Sequence, residues 1–392
     1  MLLKFLAIVL QLKVVAYDAN DMTMTPFQRK RGHDVRGVVA LTLSPNKKYL
    51  AICDAARDGG YQITVHALES FQLIGRIGIH VHLPSSSDSN SSNNIIESEA
   101  KIFPCSFSGD SKHIITASRE TLQVWTWDKE HLHRSVSCSS NTITRIQPAP
   151  NSSFLAPSSS SSCLFTTSGL GHLRAWHCSG ANQQLTESAV MSSRNKEQHE
   201  HFLDHIWLPV SDTRTSKSYR LVVLARQSDT NSLKSNDGLQ HVYTFKLCEM
   251  GQRPQFEPES IISVHASGSI VEAMAPFGSN FVLGGSAGFL CIYERNTDES
   301  QNPGTPFNCS KVLHCDENEC FISLSVSQHS DEVVALSKSM RIFNVPMGDI
   351  QLEGTRMKDF LLPHHGPILS MDVCLSKPLV VTCGEDCSVR IW

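Results

Sequence analysis

Short apolar stretches alternate with polar, turn-forming residues along most of the chain. Residues 38–43 form one such stretch, and Ser44-Pro45-Asn46-Lys47 separates it from the next at residues 49–52. The segment at residues 108–111 (Ser-Gly-Asp-Ser) separates a later pair in the same way. Apolar runs of four to eight residues between turns of this chemistry predict β-strands. Further strand–turn–strand units are expected at residues 143–167, 270–284, 321–336 and 368–382.

A second pattern recurs with a period near 50 residues. In each repeat, an apolar, variable, apolar triplet precedes one bulky closing residue. The closing residues are Tyr17, Trp125, Trp176, Phe245, Tyr293, Phe343 and Trp392, with His66 as the exception in the second repeat. Five of the seven intervals are 48–51 residues long, and insertions lengthen the other two to 59 and 69. This period predicts an all-β, WD40-type β-propeller of about seven four-stranded blades, in which each closing residue lies on a third strand.

Eight repeats are one more than the expected seven blades, so the sequence does not decide which repeat completes the ring. We expect residues 1–358 to form the propeller, with an eroded or truncated first blade that opens on a strand hairpin at its apolar start. Residues 359–392 form the last repeat. This repeat is expected to begin a truncated second propeller, and the alternative is that it replaces the eroded first blade and closes the ring.

Polar stretches interrupt the repeats at five places. They are residues 85–94, 158–162, 179–200, 227–237 and 295–310. Tracts so rich in Ser and Asn bury too little apolar surface to order themselves. We therefore expect long disordered loops between strands at these places.

The last repeat carries a possible hydrogen-bonded relay. His364, Thr382, Asp386 and Trp392 occupy the positions of the WD-repeat pattern, and His365 competes with His364 for the histidine. The aspartate would accept from the histidine, the histidine would bond the hydroxyl, and the hydroxyl would accept from the indole N–H. Such a relay satisfies every buried polar atom, so its predicted role is structural.

Composition and charge argue against some classes of function. The 392-residue chain is 40% hydrophobic and 18% charged, with a formal net charge of −4. A nucleic-acid binder needs a basic stripe, which is lacking here, and no apolar run is long enough for a membrane helix. The thirteen scattered cysteines include no CxxC pair and favour a reducing compartment.

No set of residues points to catalysis or to a cofactor. HExxH, P-loop and GxGxxG motifs are absent from the sequence. His199, His201 and His205 have a spacing that resembles a metal set, but His205 begins an apolar strand and a structural role is favoured. We expect no enzyme activity, no cofactor and no metal.

Four stretches resemble the family of cilia- and flagella-associated protein 57. They are residues 37–52, residues 107–112 with 125–129, residues 202–207, and residues 364–392. The resemblance implies a WD-repeat protein of motile axonemes, with two propellers followed by coiled coils, that builds or holds inner dynein arms. Compared with that plan, the chain lacks the second propeller and the coiled coils, and its opening residues suggest a truncated or misplaced start.

These observations lead to three hypotheses on function. The first hypothesis is a non-enzymatic scaffold in the cytoskeleton of the motile cilium or flagellum, in the axoneme. Its partners would be axonemal proteins such as inner dynein arm or regulatory complex components, with no nucleic acid and no membrane. The alternatives are a cytosolic WD-repeat adaptor for a ubiquitin ligase, coat or signalling complex, and, last, a propeller hydrolase.

Overall fold

The computed structural model describes most of the strands and the turns that join them. The described residues are 5–10, 13–18, 24–26, 35–56, 60–79, 104–118, 121–138, 143–150, 163–178, 185–191, 200–210, 218–227, 239–248, 254–264, 269–296, 306–314, 317–326, 332–339, 341–346, 358–359, 368–374, 379–384 and 389–391. These residues contain strands and turns and no helix. The predicted all-β class is confirmed.

Six four-stranded antiparallel sheets follow one another along the chain, each a blade that pairs its strands in sequence order. The first three are β4 (Val35–Leu43), β5 (Tyr49–Ala56), β6 (Tyr61–Ala67) and β7 (Leu73–Ile79); β8 (Cys105–Phe107), β9 (His113–Ala117), β10 (Thr121–Thr126) and β11 (His131–Ser137); β12 (Ile143–Pro148), β13 (Cys163–Gly169), β14 (His172–Cys178) and β15 (Leu185–Ala189). The next three are β16 (Glu200–Val210), β17 (Ser218–Gln227), β18 (Gln240–Cys248) and β19 (Gln255–Ser263); β20 (Val271–Phe277), β21 (Asn280–Gly285), β22 (Phe289–Arg295) and β23 (Phe307–His314); β24 (Phe321–Val326), β25 (Glu332–Ser337), β26 (Ile342–Pro346) and β27 (Lys358–Asp359).

Two three-stranded sheets flank these six. The first contains β1 (Phe5–Leu10), β2 (Lys13–Asp18) and β3 (Met24–Pro26), so the predicted opening hairpin is confirmed. The last contains β28 (Ile368–Cys374), β29 (Leu379–Gly384) and β30 (Val389–Ile391). The described residues thus form eight sheets, one for each closing position in the sequence. Which of the flanking sheets closes the ring stays a prediction.

The blades are arranged with their first strands innermost. First strands of successive blades contact each other from β4 through β8, β12, β16 and β20 to β24. The second strands β9 and β13 are buried on both faces, whereas the fourth strands β11, β19 and β23 are largely exposed. The hydrophobic core therefore lies in layers between neighbouring blades, for example between the β16–β19 blade and the β20–β23 blade.

The turns between first and second strands have the predicted chemistry. In the β4–β5 turn, the Ser44 hydroxyl accepts from the Tyr49 amide at 2.9 Å, and Lys47 adopts a φ of 56°. The β8–β9 turn repeats this arrangement, since Ser108 accepts from the His113 amide at 2.9 Å. The two turns are linked by a hydrogen bond of 3.3 Å from the Asn46 amide to the Ser111 hydroxyl. Local turn chemistry therefore also joins neighbouring blades.

Parts of the predicted loops are strands. Residues 185–189, inside the stretch expected to be a loop at 179–200, form β15 on the edge of its blade, and residue 200 begins β16. Residues 307–310, inside the stretch at 295–310, belong to β23. The prediction was wrong at these places because an exposed edge strand needs few apolar residues. The stretches at residues 85–94 and 158–162, and most of 227–237, lie outside the described residues.

Candidate functional site

The predicted relay of the last repeat lies almost entirely outside the described residues. Thr382 is on β29, opposite Met371 and Arg390, whereas His364, His365, Asp386 and Trp392 fall outside. The relay therefore stays a prediction. The other closing residues that the structure describes lie on the third strand of their four-stranded blades or, for Tyr17, on β2. They are Tyr17, Trp125, Trp176, Phe245, Tyr293 and Phe343.

A relay of related chemistry occurs in the β12–β15 blade, where the sequence did not point to one. The Trp176 indole N–H donates to the Thr167 hydroxyl at 2.8 Å. That hydroxyl is 2.7 Å from Nε2 of His172, which begins β14. All three side chains are buried. A weaker version joins Trp125 to Thr116 at 3.2 Å in the preceding blade. In both blades the threonine precedes the tryptophan by nine residues, a spacing that could have revealed the pair.

The neighbouring residues of β13 extend this network into the next blade. His205 on β16 is completely buried, with Nδ1 at 2.9 Å from the Ser168 hydroxyl and Nε2 at 3.3 Å from the Thr166 carbonyl oxygen. The Trp207 indole N–H donates to the Thr166 hydroxyl at 3.2 Å. Three consecutive hydroxyl groups of β13 therefore bond to two neighbouring strands. Their partners are His172 and Trp176 on the third strand of the same blade, and His205 and Trp207 on the first strand of the next blade. We call these three residues with His172, Trp176, His205 and Trp207 the β13 network.

An ionisable pair borders the β13 network. Asp204 accepts a hydrogen bond from the His205 amide at 2.9 Å, and its carboxylate is 3.9 Å from Nε of Arg145. Burial raises the pKa of Asp204, although the Arg145 charge and backbone donors oppose that effect. Burial also lowers the pKa of His205 to about 3 and that of His172 to about 4. Both imidazoles are therefore neutral near pH 7, as a hydrogen-bonded structural role requires.

Metal binding finds no support in the described part of the chain. No three His, Cys, Asp or Glu side chains come together there as possible ligands. Of the three spaced histidines, His199 lies outside the described residues, and His201 pairs across the sheet with Arg226. His205 is engaged by Ser168 and Thr166. The β13 network can hold two blades together, because its buried side chains bond to one another across the boundary between the blades.

We expect acid to destabilise the protein through His205 and His172. Their pKa values in the folded state lie below the ordinary 6.5. Below pH 6.5 these two histidines therefore bind protons in the unfolded chain but not yet in the folded chain. The free energy of unfolding should fall by about 1.4 kcal/mol per pH unit for each histidine between their ordinary and folded-state pKa values. Urea unfolding between about pH 7 and pH 5 measures this slope. In His205→Gln the free energy of unfolding should depend less steeply on pH, and an unchanged dependence would contradict the lowered pKa of His205.

The chain is similar in sequence to known proteins. Residues 357–392 match the family described as WD domain, G-beta repeat. Mouse cilia- and flagella-associated protein 57 is 22% identical over 386 residues, covering 91% of this chain. Cilia- and flagella-associated protein 57 A from Tetrahymena thermophila is 27% identical over 166 residues, covering 39% of this chain. The predicted resemblance to the cilia- and flagella-associated protein 57 family is confirmed.

The chain spans only a part of these relatives. It covers 29% of the length of mouse cilia- and flagella-associated protein 57 and 13% of the Tetrahymena relative. Among solved structures, the Myceliophteria thermophila Cps50 (Swd1) beta-propeller domain matches with a TM-score of 0.54 and 11% identity. The match covers 93% of this chain and 98% of that domain. This likeness confirms the β-propeller fold.

Proposed function

We propose that this chain is a non-enzymatic WD-repeat scaffold of the axoneme of motile cilia and flagella, where it binds other axonemal proteins. The observation that carries the proposal is the similarity along 91% of the chain to a mouse protein named for cilia and flagella. The absence of HExxH, P-loop and GxGxxG motifs from the sequence and the structural use of the buried histidines agree with a scaffold. The described residues also include no helix long and apolar enough to cross a membrane.

The surface of the propeller offers positions for partners. Leu170 and Leu239 are 54% and 64% exposed, and each lies between the second and third strands of its blade. Because blades of one propeller repeat the same strand order, these two connections lie on the same side of the ring. Large exposed apolar patches mark protein-binding surfaces, and we propose that these two leucines belong to one such surface. We call Leu170 and Leu239 the leucine pair.

Among axonemal proteins, we expect partners from the inner dynein arms or their regulatory complexes. This expectation follows from the family resemblance, and the propeller adds a physical basis. A rigid sheet scaffold presents its surface with little loss of conformational entropy on binding, which favours stable assembly.

The localisation of the protein tests the proposal. A tagged product of the complete gene, expressed in ciliated cells, should be retained in axonemes after detergent extraction and should co-purify with dynein arm components. Exclusion from the axoneme, or co-purification with ubiquitin-ligase, coat or signalling subunits instead, would reject the axonemal role and favour the cytosolic adaptor.

The leucine pair gives a sharper test of the binding surface. Leu170→Asp combined with Leu239→Asp should weaken axonemal retention, because charge would be placed in an apolar contact. The matched control is Ile261→Asp, an equally exposed apolar residue (59%) on the outer strand β19, which should retain the wild-type distribution. Equal retention of all three proteins would show that the leucine pair is not the binding surface.

A further inference from the structure

Two cysteines of the β20–β23 blade have their sulfur atoms close together. Sγ of Cys291 on β22 and Sγ of Cys309 on β23 are 3.0 Å apart. The two residues are 18 positions apart in sequence, and residues 297–305, between the two strands, lie outside the described part. A sulfur–sulfur bond is about 2.05 Å long, so a movement of about 1 Å would join them.

A β-bulge is the reason that these two side chains meet. Ile292 is opposite Lys311 and Tyr293 is opposite Cys309, so Ser310 is an extra residue on β23. In a regular ladder Ser310 would face Tyr293, and Cys309 would point to the other side of the sheet, because neighbouring residues alternate between faces. The bulge shifts Cys309 to the position opposite Tyr293, and hence to the face that carries Cys291.

The two thiols differ in accessibility. Cys291 is only 2% exposed, whereas Cys309 is exposed. Burial raises the pKa of the Cys291 thiol, which makes it a poor first nucleophile. A buried partner beside an exposed thiol is the arrangement in which the exposed sulfur reacts first and the buried one resolves the product.

We propose that Cys291 and Cys309 are a reversible modification site, which forms a disulfide on reaction with a low-molecular-weight disulfide such as oxidised glutathione. The Cys309 thiolate attacks one sulfur of the oxidant, which breaks the S–S bond and releases one glutathione thiolate. Cys291 then loses its proton to solvent and attacks Cys309 sulfur, releasing the second glutathione. Two protein thiols are oxidised and one oxidant molecule is reduced to two thiols.

The consequence of the disulfide would be mechanical. It would fix β23, the exposed outer strand of its blade, to β22. Other cysteine pairs are less suited to this reaction in the described structure. Cys163 and Cys178 are directly opposite on β13 and β14, and their hydrogen bond lowers the pKa of the Cys178 thiol to about 7, but both residues are buried, which limits the access of an oxidant.

Peptide mapping of the oxidised protein tests the proposal. The reduced 392-residue chain is incubated with oxidised glutathione, digested without reduction and analysed by mass spectrometry. The first linkage expected is Cys291–Cys309, with a decrease of two among the thirteen thiols that react with N-ethylmaleimide in denaturant. A first linkage between Cys163 and Cys178, or a wild-type protein that stops at a glutathione adduct on Cys309, would overturn the proposal.

Serine variants separate the two steps of the reaction. Cys291→Ser should stop at the Cys309–glutathione adduct. Cys309→Ser should retain its twelve remaining thiols during the same incubation with oxidised glutathione. The matched control is Cys248→Ser, a partly exposed cysteine at the end of β18, which should form the linkage like the wild type. Loss of thiols in Cys309→Ser at the wild-type rate would also overturn the proposal. The wild-type map decides alone if the Cys291→Ser variant does not fold.

Discussion

Glu259→Gln is expected to lower the free energy of unfolding by about 3 kcal/mol, because it leaves a buried arginine without its counter-charge. Arg220 on β17 has a side chain that is only 6% exposed. Its guanidinium donates through Nε and Nη2 to the two carboxylate oxygens of Glu259 on β19, the second bond measuring 2.8 Å. The same guanidinium lies 5.2 Å from the ring centroid of Phe307, in the next blade. The ion pair therefore orients a cation that packs between two blades.

A second arginine–glutamate pair provides the control for this experiment. Arg174 donates to Glu187 at 2.7 Å, but Glu187 is 52% exposed. Glu187→Gln should change the free energy of unfolding by less than about 1 kcal/mol, since water screens and replaces an exposed partner. Urea unfolding of both variants, compared at their midpoints, measures the difference. Similar losses in the two variants would show that the burial of Arg220 does not set the strength of its pair.

Gly285→Ala is expected to destabilise the protein by about 3 kcal/mol through backbone overlap. A Cβ atom at position 285 would lie 2.0 Å from the carbonyl oxygen of Ile270 and 2.7 Å from Cα of Val271. These atoms have little freedom to move aside. The Ile270 carbonyl accepts from the Ser286 amide at 2.8 Å, and the Ile270 amide donates to the Ser286 hydroxyl at 2.7 Å. The end of β21 is therefore pinned against the start of β20, at a distance that only glycine permits.

Gly78 is the matched control for this substitution. It also lies in a strand, on β7, and a Cβ atom there would meet no atom within 4 Å. Gly78→Ala should change the free energy of unfolding by less than about 0.5 kcal/mol, or stabilise slightly by restricting the unfolded chain. Urea unfolding of the two alanine variants is the measurement. Equal stability of both would contradict the close approach of β20 and β21.

The β13 network shows where prediction from sequence ended. The pattern placed Trp176 on a third strand, and the structure has it there on β14. The pattern did not pair Trp176 with Thr167 and His172, because in this blade the histidine follows the threonine, whereas in the WD-repeat arrangement of the last repeat His364 precedes Thr382. The contact of His205 with Ser168 joins residues 37 positions apart in different blades, and no local pattern carries that information.

The edge strand β15 shows a different limit. Its residues, Leu185–Ala189, include three polar side chains in five and read as a loop in the sequence. An outer strand is paired on one side and exposed to solvent, so its stability comes from hydrogen bonds to β14 rather than from apolar side chains. Hydrophobic alternation therefore identifies inner strands well and misses strands of this kind.

The sequence by itself determined the all-β class, the turns such as Ser44–Lys47, the recurring third strands and the resemblance to a ciliary family, because each of these depends on neighbours within one blade. The tertiary structure alone decided which side chains meet between and across strands. Cys291 meets Cys309 because a bulge at Ser310 changes the face on which Cys309 lies, and Arg220 meets Glu259 across an intervening strand. These contacts depend on register and on the packing of whole blades, which hydrophobic periodicity leaves unspecified.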